Sequence, residues 1–138
     1  MTAQDVPAKQ QDISAEVAAL VRQTLALPES EPVRPDQLLF YDLSFTSLDM
    51  LDLLFRLEQR FDISIPEGTI YNLARGEMPD TEFAESSVLT AAGRERLIGL
   101  LHDSPPEIFP ARIHATTLPR YCTVGAITRL VEHKLARA

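Results

Sequence analysis

The chain has 138 residues, a formal net charge of −7, 45% hydrophobic residues and 24% charged residues. This length suits one domain with a real core, the composition excludes disorder, and the acidic balance argues against nucleic acid, whose phosphates it would repel. No apolar run approaches membrane-spanning length, the N-terminus lacks a signal-like apolar stretch, and the single cysteine, Cys122, excludes an internal disulfide. A cytoplasmic, monomeric protein with no membrane insertion is expected.

Residues 1–11 are polar and read as a frayed end. A first helix, capped at Asp12 or Ser14, extends to about Leu27, with Ile13, Val17, Leu20, Val21 and Leu25 on one face. Pro28 stops it, and residues 28–36 form a proline-broken loop. Leu38, Leu39, Phe40, Tyr41 and Leu43 then crowd together. So apolar a loop has to pack on the bundle, which fixes the position of the turn after it.

That turn delivers a serine to the start of a helix. Thr46 is a good N-cap and Asp49 completes a capping box, which places Ser47 at the first helical position with its hydroxyl unused. Exposed backbone N–H groups and the positive end of the helix dipole make this a favourable place for a phosphate. Taken alone, Ser47 could be an ordinary helix-start serine. The helix behind it has two faces. Met50, Leu53, Leu54, Leu57 and Phe61 repeat at helical spacing and should be core. Leu48, Leu51 and Phe55 form a second apolar row, flanked by Asp49, Asp52 and Glu58, which reads as a partly exposed docking surface.

After Phe61, Ile63 and Ile65 plug the end of the bundle. Thr69 caps a short helix from Ile70 to Arg75, with Gly76 as its C-terminal stop. Residues 77–87 read as acidic surface loop. Thr90 caps a further helix through His102, with Leu97, Ile98, Leu100 and Leu101 inward and Arg94, Glu95 and Arg96 facing water; Gly93 and Gly99 weaken it by about 1 kcal/mol each. Four prolines between Pro105 and Pro119 predict an extended strap, anchored by Ile108, Phe109, Ile113 and Leu118. Thr123 caps the last helix, to about Leu135, with Val124, Ile127, Leu130 and Val131 inward.

At three places these residues resemble the acyl carrier proteins. Residues 42–49, Asp-Leu-Ser-Phe-Thr-Ser-Leu-Asp, look like that family's Asp-Leu-Gly-x-Asp-Ser-Leu-Asp motif. Residues 61–66, Phe-Asp-Ile-Ser-Ile-Pro, look like its Phe-Gly-Ile-x-Ile-Pro segment, and Thr123-Val124-Gly125-Ala126-Ile127 looks like the Thr-Val-Gly opening of its last helix. Ser44 stands where the family has Gly, and Thr46 where it has Asp.

The resemblance implies an all-α, acyl-carrier-like helical bundle in a single carrier domain, 1–138. Its core would be about 12–66 and 122–135, with an insertion at 67–121 that adds a helix and an irregular strap. It implies a 4′-phosphopantetheine arm on Ser47, carrying acyl groups as thioesters for lipid or fatty-acid biosynthetic enzymes. The implied partners are a phosphopantetheinyl transferase, the acyl chain itself, and acyltransferases or acyl-synthesising enzymes with basic docking patches. Leu48, Leu51 and Phe55 would meet them through apolar contact, and Asp49, Asp52 and Glu58 through charge. Tyr41 would be core or line an acyl channel. The long insertion points to a specialised bacterial carrier, and Arg56 and Arg60, which dilute the acidic helix, to altered partner choice.

Two other readings are an unmodified helical interaction module and a peptidyl or aminoacyl carrier. An enzyme is not expected. Cys122, His102, His114 and His133 show no metal-site or nucleophile spacing. Cys122, just before a helix, is either a reactive thiol or a small buried residue. His102 and His133 sit near helix C-termini, where the dipole favours them.

Overall fold

The computed structural model describes residues 8–137, with side chains from Ile13 onward; the expected frayed end at 1–11 falls largely outside these residues. Six α-helices form the body: α1 (Ala8–Leu25), α2 (Ser47–Phe61), α3 (Thr69–Arg75), α4 (Asp80–Phe83), α5 (Ala91–Leu100) and α6 (Val124–Ala136). A two-residue hairpin, β1 (Ala84–Glu85) with β2 (Val88–Leu89), separates α4 from α5. The mainly helical bundle agrees with the fold class read from the sequence, and the hairpin is an addition to it.

The bundle forms because the apolar stripes meet. α1 packs on α2 and α6, and α2 packs on α6. Val17, Val21, Leu53, Leu57, Ile127 and Val131 are fully buried where these stripes face one another. α1 begins before Asp12 and Ser14, so neither caps it. It ends earlier than expected because Ala26 turns into the left-handed region at φ 56°. α3 starts at Thr69 rather than Ile70, with the Thr69 hydroxyl donating back to the Pro66 carbonyl at 2.6 Å.

Residues 77–121 hold more structure than the sequence suggested. The acidic stretch contains α4 and the hairpin, whose Ser86 and Ser87 both take positive φ, as a tight two-residue hairpin requires. The strap is anchored as expected by buried Phe109, Ile113 and Leu118. It is not wholly extended, however: Pro106–Ile108 and Ala115–Tyr121 wind into 3₁₀ turns. Its backbone joins the hairpin through Leu89 N donating to Ile113 O (2.9 Å) and Ala115 N to Ser87 O (2.8 Å). α5 is capped by Thr90 as read, and buried Gly93 is required there, because a Cβ would lie 2.0 Å from the Phe83 carbonyl oxygen. Arg94 and Arg96 do not simply face water. Arg94 donates to the Phe109 and Pro110 carbonyls, tying α5 to the strap, and Arg96 donates to the Ala74 carbonyl, tying α5 to α3.

Candidate functional site

The serine turn is held from both sides. Asp42 folds back so that its carboxylate accepts from Leu38 N at 2.8 Å, while Leu43 N donates to Leu38 O and Phe45 N to Leu39 O. Leu39 N in turn donates to Cys122 O, and Leu38 bridges Thr123, so the turn is stitched to the entrance of α6. Leu38, Leu39 and Phe45 are buried under it.

The capping box forms as read. Thr46 Oγ1 accepts from Asp49 N at 3.2 Å, and Thr46 N donates to Asp49 Oδ2 at 2.9 Å. Ser47 is therefore the first residue of α2. It is exposed, and its hydroxyl has no hydrogen-bond partner among the described residues. Ser44, three residues earlier, sits in the left-handed region at φ 59°, and Asp62, which ends α2, at φ 55°. Both stand where the resembled motifs carry Gly, which is the residue such a backbone favours.

The two faces of α2 separate as the periodicity predicted. Met50, Leu53 and Leu57 are buried, with Leu54 and Phe61 half-buried, while Leu48, Leu51 and Phe55 are 76%, 59% and 59% exposed. The three acids beside that exposed row are each engaged within the chain. Asp49 closes the capping box, Asp52 pairs with Arg56 at 3.2 Å, and Glu58 accepts from Ile65 N at 2.7 Å. Arg60 bonds Glu16 of α1, so both arginines of α2 are occupied internally.

A groove of about 630 Å³ opens beside Ser47. One wall is α2, through Met50, Leu54 and Phe55; the opposite wall is the 65–71 stretch, with Ile65, Ile70 and Tyr71. The strap closes the groove through residues 115–120, including buried Leu118. Sequence reading gave no sign that residues 115–120 would reach the groove beside the serine, since that contact depends on a return of the chain that no local pattern encodes. Tyr41 is neither core nor channel lining: it is 51% exposed and takes no part in the groove wall. Tyr71 is fixed by its hydroxyl, which donates to Asp80, and by edge-on contact with Phe83 at 4.8 Å; the bond to Asp80, then burial, holds its hydroxyl above the usual phenol range. Arg120 is the one basic side chain on the groove lining among the described residues.

Behind the site, Asp103 braces α6. Its carboxylate accepts from Arg129 at 3.0 and 3.1 Å and from the Thr123 hydroxyl at 2.7 Å. Burial alone would raise its pKa, but these hydrogen bonds and the guanidinium charge hold it below the ordinary carboxylate value. Gly125 lies close against this brace, where a Cβ would press on both Asp103 Oδ2 and Pro35 O at 3.2 Å. Cys122 is buried, and desolvation first, then the Asp103 charge, pushes its thiol up to about 12. It is the small buried residue rather than the reactive thiol. His102 and His133 are exposed, and no group of three or more His, Cys, Asp or Glu side chains converges among the described residues.

A helical bundle that presents a free serine hydroxyl at a helix start, above an apolar groove, has the form of a carrier domain. Residues 15–75 match the family model described as a phosphopantetheine attachment site, consistent with a member of the acyl carrier protein family. The match covers somewhat under half of the chain. Such a domain is the attachment site for 4′-phosphopantetheine and acts as an acyl or peptidyl carrier, a role that is generally non-catalytic. No curated protein and no solved structure shows a significant match to the chain. The exposed, unbonded hydroxyl of Ser47 fits the arm: nothing in the bundle has to move for a phosphodiester to form there. When bound, the arm supplies a terminal thiol for thioester chemistry. No described helix is long and apolar enough to cross a membrane.

Proposed function

We propose that this protein is an acyl carrier whose Ser47 oxygen is esterified to 4′-phosphopantetheine, and that it presents acyl thioesters to enzymes of lipid or fatty-acid biosynthesis. The observation that carries the proposal is that Ser47 is at once exposed, unbonded and on the lining of an apolar groove of about 630 Å³. This size falls in the usual range of small-molecule sites. A mostly hydrocarbon lining favours an acyl cargo over an aminoacyl or peptidyl one, whose amides would lose hydrogen bonds there.

In this reading Leu48, Leu51 and Phe55 form the apolar centre of a docking face on a phosphopantetheinyl transferase and on acyl-handling enzymes. Asp49, Asp52 and Glu58 offer their outer oxygens to basic patches on those partners, in addition to their bonds within the chain. The whole of 1–138 acts as one monomeric carrier domain in the cytoplasm, with 67–121 as an insertion into a core of about 12–66 and 122–135.

The test is intact mass measurement after incubation with coenzyme A and a phosphopantetheinyl transferase. The wild-type chain should gain one arm and Ser47→Ala none. A gain that survives Ser47→Ala, or no gain at all, overturns the proposal.

A further inference from the structure

Most arginines of the chain are tied down within it, through side-chain bonds to carboxylates or carbonyls. Among the described residues Arg112, Arg120 and Arg137 make no side-chain hydrogen bond or ion pair. Of these three only Arg120 lines the groove beside Ser47, and no lysine or histidine joins it there. The acids on the lining leave it unclaimed. Glu58 is turned to Ile65 N, and Glu67 makes no ion pair with it.

Backbone hydrogen bonds tie the segment that carries Arg120 to the turn that carries Ser47. Arg120 stands two residues before Cys122, whose carbonyl accepts from Leu39 N at 3.1 Å. Leu39 O accepts from Phe45 N at 3.0 Å, and Ser47 follows two residues later. Phe40, next to Leu39, is itself on the groove lining.

Electrostatics gives this guanidinium a role. An arm on Ser47 puts a phosphodiester anion at the start of α2, beside the Asp49 carboxylate that closes the capping box, in a chain whose net charge is already −7. Two anions at one helix start repel each other. The helix dipole offsets part of that repulsion. A guanidinium offsets more, because its paired N–H donors match phosphate oxygens and its charge is permanent.

We infer that Arg120 is the positioning residue for the arm: its guanidinium pairs with the phosphodiester on Ser47 and draws the arm along the wall formed by residues 115–120. The inference rests on the carrier reading of Ser47. Arg120 is exposed, so the pair is favoured over the open form only about two- to fivefold and weakens as salt is added. The competing anion, a carboxylate on the cargo, lies past the end of the arm, whereas the phosphodiester is fixed to the Ser47 oxygen for every cargo.

The full-length protein, grown with isotopically labelled arginine, is compared by NMR as the apo form and as the holo form with a free arm thiol, intact mass confirming the arm. The Arg120 Nε–H signal, assigned by its absence from Arg120→Gln, should shift in the holo form and exchange with water about two- to fivefold more slowly. The signals of Arg112 and Arg137 should not change. The phosphorus signal of holo Arg120→Gln should move towards that of the wild type in high salt. Arg120→Lys should restore part of the difference, since an ammonium keeps the charge but not the paired donors. Apo Arg120→Gln should melt with the wild type. Equal losses of stability in the apo and holo variants would mean a structural role and overturn the inference, as would Arg120 and phosphorus signals that ignore the arm and the substitution. An effect seen only once a dicarboxylic acyl group is loaded assigns Arg120 to the cargo and overturns it too. Absence of the arm from Ser47 overturns the carrier reading and this inference with it.

Discussion

Replacing Ser44 with glycine should stabilise the protein, and the reason lies in one dihedral angle. Ser44 holds φ at 59°, where an L side chain is strained by about 1–2 kcal/mol through its Cβ. Its side chain makes no hydrogen bond among the described residues, so removing it forfeits none. Against the relief stands the greater freedom of glycine in the unfolded chain, worth about 0.4–1 kcal/mol. The balance is a gain of about 0.5–1 kcal/mol, or an increase in melting temperature of about 2 °C at this size. Urea denaturation of Ser44→Gly and Ser44→Ala, compared at unchanged m, checks it. Alanine keeps the Cβ and should give no gain. Asp62→Gly, at φ 55°, should gain less, because aspartate tolerates the left-handed region better than serine does. If Ser44→Gly destabilises the fold, or if alanine stabilises it equally, the backbone account of the turn is wrong.

The brace behind the site predicts an acid-sensitive step. Because the folded-state pKa of Asp103 is lowered, its contribution is complete above the unfolded value of about 3.9 and is lost as pH falls through the folded one. Asp103→Asn should cost about 1–3 kcal/mol near neutral pH and flatten the acid limb of stability against pH, read by denaturation at several pH values. Phe55→Ala and Leu51→Ala should change stability by less than about 0.5 kcal/mol, since both are largely exposed, yet weaken docking to an acyl-handling enzyme by about 1 kcal/mol or more each, measured by calorimetry. Cys122 should resist a thiol reagent at pH 8 in the folded protein and react at once in urea, because its thiol is buried and pushed up to about 12.

The features legible in the sequence were those that local chemistry dictates. The capping box of Thr46 and Asp49, the two faces of α2 and the Thr123 cap each depend on residues within a few turns of one another. They appear as read. Tyr41 was misjudged because hydrophobic crowding in residues 38–43 does not reveal which member turns outward. The hairpin at residues 84–89 was missed because its turn carries Ser86-Ser87 in place of the Asn-Gly or Asp-Gly that usually announces one. Arg94 and Arg96 read as solvent-facing because their acceptors, the carbonyls of Phe109, Pro110 and Ala74, lie 15 to 22 residues away. The same limit hid the groove's third wall.

That third wall ties residues 77–121 to the Ser47 turn. α3 has only seven residues, too few to hold a helix by its own hydrogen bonds. It is kept in place by groups from residues 77–121: Arg96 on the Ala74 carbonyl, Asp80 on the Tyr71 hydroxyl, and the Phe83 ring against that of Tyr71. Residues 115–120 then close the groove directly, and the chain returns through Cys122 to bond Leu39 under the serine turn. One continuous segment thus fixes the far wall of the groove, forms its side, and anchors the loop that presents Ser47. A shift of that segment would be felt at the serine through bonded contacts, so residues 77–121 and the Ser47 turn belong to one mechanical unit.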